Sequence, residues 1–206
     1  MKYGSTYRQI AEELYGDDLP KSGIPSSVMS DEEVRLGIPL PPALREYYEI
    51  LGTFQRLNTA QDQLLSPAEL IIADNVLVFL NENQGVFAWG VRVCDLAEAD
   101  PLVWQSADTE WFEAGGVALS DFLRDMIYLQ TSGGGFDYLG IHEEEDEVMP
   151  EVSRTWKKVV DINGLHIWMN GSSLIRNSEG DNICMCAART KADFAVLEAQ
   201  HGFDPL

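Results

Sequence analysis

The chain has 206 residues, of which 45% are hydrophobic and 10% aromatic, and its formal net charge is −20. This length and composition exclude a disordered chain and are sufficient for one buried core, so we expect a single domain over residues 1–206. The negative charge repels nucleic acid and an anionic membrane and attracts basic proteins.

The first predicted elements are two helical segments joined by a loop. Residues 6–15 should be helical because Ile10 and Leu14 are four apart on one face. Residues 17–30 contain two prolines and are predicted as a connecting loop. Ser30, which precedes three acidic residues, is predicted to cap a short helical turn.

The segment 36–52 predicts a loop followed by a helix. Pro41 and Pro42 suit a helix entrance, where no amide donor is needed. Gly52 is expected to end the helix in the left-handed conformation. The apolar stripe between them has helical spacing and consists of Leu44, Tyr47, Tyr48 and Leu51.

The middle of the chain predicts short strands followed by a helix. Residues 76–80 and 86–93 are expected to pair as a hairpin, and residues 102–105 and 110–112 to form shorter strands. Ser120 is predicted to cap a helix that a run of three glycines, residues 133–135, then ends.

The C-terminal part predicts antiparallel pairing and a last helix. Asn170-Gly171 is a strong hairpin signal between residues 165–169 and 172–176, and residues 183–188 follow as a further strand. Thr190 and Asp193 predict a helix start, and Gly202 its end. The expected fold class is α+β, with a mostly antiparallel central sheet flanked by helices. Residues 156–202 should belong to the same domain.

Four blocks in chain order, residues 36–52, 79–91, 100–104 and 119–123, resemble the SMI1/KNR4 family, also called the SUKH superfamily. The second block contains Glu-Asn-Gln-Gly, which is similar to that family's signature. The resemblance covers roughly residues 31–131 and implies a SUKH-like fold. We interpret the residues that carry it as structural: Gly37, Pro39, Leu40, Pro41, Leu44, Tyr47, Tyr48, Gly52, Glu82, Asn83, Gln84, Gly85, Trp89, Pro101 and Val103.

The resemblance also implies a function. Bacterial members of this superfamily commonly neutralise toxins, often nucleases, by binding them, so the chain is expected to be an immunity protein with a basic toxin domain as its partner. Eukaryotic relatives look like signalling or assembly factors, so a regulatory or scaffold role is the alternative. An uncharacterised enzyme is a third possibility.

The acidic residues are concentrated in the middle of the chain. Residues 57–153 hold nineteen acidic side chains and only two basic ones, Arg92 and Arg124. Such a surface either attracts a basic partner or keeps the protein in solution, and the composition leaves both readings open. The densest part is predicted as a partner-binding loop and consists of Glu143, Glu144, Glu145, Asp146 and Glu147.

The sequence has no motif with an evident catalytic mechanism. It lacks a phosphate-binding loop and a nucleophile elbow, so we expect neither an enzyme nor a cofactor. The three thiols, Cys94, Cys184 and Cys186, are predicted to pack in the core rather than to bind a metal. His166 is predicted as a packed or surface histidine. The side chains of residues 82–84 either form a catalytic or ligand-binding cluster or, more simply, make hydrogen bonds to backbone groups of the hairpin turn.

Three further features predict a cytoplasmic location. An odd number of cysteines argues against a disulfide framework. The first residues lack the apolar stretch of a signal peptide. No apolar run reaches the length that a membrane span requires.

Overall fold

The computed structural model describes residues 2–107 and 110–206; Met1, Asp108 and Thr109 lie outside the described residues. The helices are α1 Gly4–Tyr15, α2 Ser26–Leu36, α3 Pro42–Leu51, α4 Gln55–Asn58, α5 Leu119–Gln130, α6 Glu145–Thr155 and α7 Lys191–His201. The strands are β1 Gln63–Leu64, β2 Ile71–Ala73, β3 Val76–Asn81, β4 Phe87–Arg92, β5 Leu102–Ala107, β6 Glu110–Ala118, β7 Tyr138–His142, β8 Lys157–Ile162, β9 Leu165–Asn170, β10 Ser173–Ser178, β11 Cys184–Ala188 and β12 Asp204–Pro205.

The strands of the described ranges form two antiparallel sheets. The first sheet has the order β1-β3-β4-β5-β6, and β2 pairs with the other end of β3. The second sheet has the order β12-β7-β11-β10-β9-β8. The α+β class with antiparallel strands is therefore confirmed. The division of the strands between two sheets is a feature that the local sequence patterns did not indicate.

Helix α1 begins earlier than predicted because its start is capped from a distant part of the chain. The backbone N–H groups of Lys2, Tyr3 and Gly4 donate to the Glu46 carboxylate at 3.0, 2.7 and 2.7 Å. Partial burial would raise the pKa of Glu46, but these donors outweigh it and lower the pKa. Glu46 lies on α3, so the cap also ties the two helices together.

Two predictions about α2 and α3 are wrong in detail. Ser30 is not an N-cap: α2 begins at Ser26, directly after Pro25, whose extended backbone ends the preceding loop. Gly52 has φ −61° and is not left-handed. Its missing side chain matters for space instead, since a Cβ there would lie 2.8 Å from Ile24 Cδ1. The left-handed glycine is Gly37, which ends α2 at φ 71°.

The cap of α5 also comes from elsewhere. Ser120 was predicted as its N-cap, but the helix begins at Leu119. The carboxylate of Asp100 accepts from the Ser120 backbone N–H at 2.9 Å and from its hydroxyl at 2.6 Å. A carboxylate is favourable at this end of a helix because the macrodipole is positive there.

The acidic run, residues 143–147, is not the loop that was predicted. Its last three residues are the first turn of α6, which extends to Thr155. Acidic side chains stabilise a helix start through the macrodipole, which offsets their mutual repulsion. Pro150 lies inside α6. Proline in the interior of a helix usually breaks it, so the local sequence does not predict a helix across Pro150.

The C-terminal predictions agree with the structure except for the position of one turn. Strands β9 and β10 form the predicted hairpin, but Asn170 pairs with Ser173, so the turn residues are Gly171 and Ser172 rather than Asn170 and Gly171. Gly171 supplies the positive φ, at 59°. The hydroxyl of Thr190 accepts from the Asp193 backbone N–H at 3.1 Å, which caps α7. Gly202 ends this helix at φ 69°.

The main hydrophobic core takes side chains from both sheets. Leu44 of α3 and Phe79 of β3 belong to the same buried cluster as Ile167 and Leu174 of the second sheet. A smaller cluster packs α6 and α7 against the second sheet. Among the described helices, none has the length and apolar content needed to cross a membrane.

Candidate functional site

The five acids of the acidic run form an exposed, uncompensated surface at the start of α6. Four of these side chains are exposed, and Glu145 is partly buried. Within the described ranges, no lysine or arginine lies within 4.0 Å of them; the nearest basic group is His142, with Nε2 3.9 Å from Glu147 Oε2. This surface therefore keeps its negative charge available for a partner.

The acidic run is held in place by the turn between β10 and β11. The side-chain amide of Asn182 donates to the Glu143 carbonyl at 2.9 Å, and the Glu145 backbone N–H donates to the Asn182 carbonyl at 3.2 Å. The side-chain amide of Asn177 on β10 also donates to the Glu145 carboxylate. An anchored surface loses less conformational entropy on binding than a free loop would.

A hollow of about 490 Å³ lies between α6 and the second sheet. We call it the acidic groove. Glu145 and Asp146 form one wall, and Glu179 lines the groove from beyond β10. Lys158 of β8 and His166 and Trp168 of β9 line the opposite side.

His166, which lines this groove, lies between two carboxylates. Its Nδ1 is 2.8 Å from Asp161 Oδ1, although without hydrogen-bond alignment, and its Nε2 is 3.4 Å from Glu179 Oε1. The ring also meets Trp168 edge to face, with centroids 5.6 Å apart. The arrangement is one of a histidine packed at the edge of an acidic surface.

Residues 82–84 lie in the tight turn between β3 and β4. The Glu82 carboxylate accepts from the backbone N–H groups of Gln84 at 2.9 Å and Val86 at 3.1 Å. Gly85 has φ 73°, which this turn requires. Asn83 and Gln84 are exposed at the rim of a shallow hollow of about 950 Å³. Because the Glu82 carboxylate already accepts two backbone N–H groups, this geometry favours a structural role for Glu82 in the turn.

The cysteines do not share one environment. Cys184 and Cys186 are buried on β11, and burial raises their pKa values to about 11 and about 12. Cys94 is exposed, so the prediction that it packs in the core is wrong. Cys94 is exposed because it lies in the short helical turn that directly follows β4. In the part of the chain that the structure describes, no three potential metal ligands are grouped.

A second cavity, of about 250 Å³, lies between the two sheets. We call it the inter-sheet cleft. Strands β4, β5 and β6 form one side, α5 closes another, and the β8–β9 hairpin covers the third. The lining side chains are mainly apolar and consist of Asp62, Trp89, Gln105, Ala114, Val117, Phe122, Asp125, Met126, Leu129, Val160, Ile162, Asn163 and Leu165.

Two buried carboxylates line the inter-sheet cleft, and sequence reasoning missed both. Asp62 is 6% exposed and Asp125 is 7% exposed. Asp125 pairs with Arg124 Nε at 2.8 Å, whereas no lysine or arginine in the described ranges lies within 4.0 Å of Asp62. Asp62 precedes a two-residue strand and carries no local signal. Only its tertiary position reveals that it is buried.

The surroundings of Asp62 disfavour its ionised form. Burial raises its pKa, an effect only partly offset by the backbone N–H of Asn83 and the more distant Arg176. The backbone of Asp62 is held firmly, since the Gln130 side-chain amide donates to its carbonyl at 2.6 Å. Burial likewise raises the pKa of Asp125 against the opposing effect of Arg124.

We expect Asp62→Asn to stabilise the folded chain at neutral pH. A carboxyl whose pKa is raised by folding does not destabilise the folded state below its unfolded-state pKa of about 4, where it is protonated in both states. Its destabilising effect grows as the pH rises from there to the folded-state pKa and is constant above it. The gain over wild type should therefore appear between these two pH values and persist above them. Urea unfolding at a series of pH values measures it. A variant that is less stable at pH 7 would contradict this account of Asp62.

No protein family model matches this chain, and neither does a curated protein or a solved structure. The family resemblance therefore rests on the four sequence blocks themselves. The features of this molecule that bear on its function are its charge, the acidic run and its cavities.

Proposed function

We propose that this chain is a non-catalytic protein-binding module, an immunity protein of the SMI1/KNR4 type that neutralises a basic toxin domain. The observation that carries the proposal is the acidic run at the start of α6, which is exposed, anchored and without a nearby lysine or arginine among the described residues. In this proposal the protein acts in the cytoplasm, needs no cofactor and contacts neither nucleic acid nor membrane.

Charge complementarity supports a toxin that acts on nucleic acid. A nuclease needs basic surface to hold phosphate groups. An acidic protein that covers this surface competes directly with the substrate. With a formal net charge of −20, the chain also attracts such a partner over a distance and raises the rate of encounter.

The acidic groove makes part of this acidic surface concave. Its walls carry Glu145, Asp146 and Glu179, whereas Lys158 also lines it, with Nζ 5.1 Å from the centroid of the Trp168 ring. A partner's cation would therefore have to displace the Lys158 side chain to reach that ring. Arginine is enriched at the centres of protein interfaces, where it stacks on aromatic rings and pairs with carboxylates. We therefore place the centre of the interface at the acidic run and this groove.

The partner's identity tests the proposal. The protein, purified from the cells that produce it, should carry a basic partner that is toxic when produced alone. A bound partner that is acidic, or that is harmless without this chain, would contradict the proposal and would support the regulatory alternative.

A further inference from the structure

We propose that the inter-sheet cleft is a binding site for a free small organic cation, namely an alkyl chain that ends in an ammonium or guanidinium group. This site is separate from the acidic run and does not depend on the function proposed above. Three features support this proposal: the apolar walls of the cleft, one carboxylate without a close cation, and the close approach of two hairpins at the rim.

The walls of the cleft suit an alkyl chain. Trp89 and Phe122 lie side by side with ring centroids 6.1 Å apart, and Met126 and Leu129 of α5 continue the apolar surface. A volume of about 250 Å³ corresponds to about eight groups the size of a water molecule, at about 30 Å³ each. Aromatic faces also attract organic cations.

Asp62 supplies the charge that such a ligand would meet. It is nine-tenths buried, lines the cleft and has no lysine or arginine of the described ranges within 4.0 Å. A buried charge is costly unless it is paired. Arg124 already compensates Asp125, whereas Asp62 has only the backbone N–H of Asn83 and the more distant Arg176, so one positive charge from outside is sufficient. The amide groups of Gln105 and Asn163 offer further acceptors at the lining.

The close approach of two hairpins at the rim of the cleft favours a free molecule over a side chain carried by a polypeptide. The β8–β9 turn, at Asn163 and Gly164, reaches across to the bulge in β6, where Gly115 and Gly116 both have positive φ. A Cβ at Gly115 would lie 3.5 Å from Asn163 Oδ1, so the two hairpins nearly touch there. This contact leaves little space at the rim for a peptide backbone.

The test is a titration with n-pentylamine, followed by amide chemical shifts and by calorimetry. We expect saturable binding with a dissociation constant on the order of 1 mM or tighter, with shifts concentrated in the lining residues. The uncharged 1-pentanol should bind at least about tenfold more weakly. Equal binding of the two, or amine-induced shifts scattered over exposed acids, would overturn the proposal.

Two variants and one further ligand sharpen the test. Asp62→Asn keeps the shape of the side chain and should weaken n-pentylamine binding at least about tenfold. Glu98→Gln removes an exposed charge outside the cleft and should leave binding unchanged. Lysine blocked at both its amino and carboxyl groups should bind more weakly than n-pentylamine. If it binds more tightly, the occupant is a protein side chain and the choice of a free cation is wrong.

Discussion

Replacing Leu44 by alanine is expected to lower the free energy of unfolding by about 2–5 kcal/mol. Leu44 is 0% exposed and belongs to the main core, where α3 packs against α1 and α5. Truncation therefore removes apolar contacts and leaves a cavity that rigid neighbours fill only in part. Urea unfolding at neutral pH gives the value.

Val34→Ala is the matched control for this substitution. Val34 is 83% exposed on the neighbouring helix α2, so its truncation should change stability by no more than about 0.5 kcal/mol. The folded fraction of Leu44→Ala should still bind the partner with wild-type affinity, since α3 is assigned to the core. A specific loss of binding would show that this segment contacts the partner.

Replacing the five acids of the acidic run by glutamine is expected to slow association with a basic partner at least about tenfold at low ionic strength. The long-range field steers a basic partner to this surface, and removing five charges weakens that steering. The effect should shrink as salt screens the interaction beyond about 8–10 Å. Stopped-flow or surface binding kinetics at several salt concentrations measure it.

A second variant separates local charge from total charge. It replaces five exposed acids of the N-terminal helices and their loop with the corresponding amides, namely Glu12, Glu13, Asp17, Asp18 and Asp31. Both variants change the net charge equally, but only the first alters the acidic run. If both slow association to the same extent, the partner responds to overall charge and the run is not the interface.

Local signals in the sequence predicted the elements whose ends are satisfied locally. The β9–β10 hairpin and the Thr190 cap depend on residues within a few positions of each other. Other boundaries depend on distant partners, such as the Glu46 carboxylate at the start of α1 and Asp100 at the start of α5. No local pattern contains that information. The division of the strands into two sheets depends on long-range pairing in the same way.

The candidate sites show the same limit. The acidic run was evident as a charge cluster, but its place at the start of α6 was not, because Pro150 looks like a helix breaker. Asp62 was invisible, because an aspartate in an irregular segment is usually exposed and only the packing of the two sheets buries it. Residues 82–84 were evident as a motif, and the hydrogen bonds of Glu82 explain its structural part.

The most direct measurement of the central claim is the toxic activity of the bound partner as this chain is added in increasing amounts. A binding module should remove activity in proportion to the amount added, with an end point near one chain per toxin, and the glutamine variant of the acidic run should need higher concentrations. Activity that persists at saturation would contradict neutralisation. Activity lost at far less than one chain per toxin would contradict a non-catalytic role and indicate an enzyme.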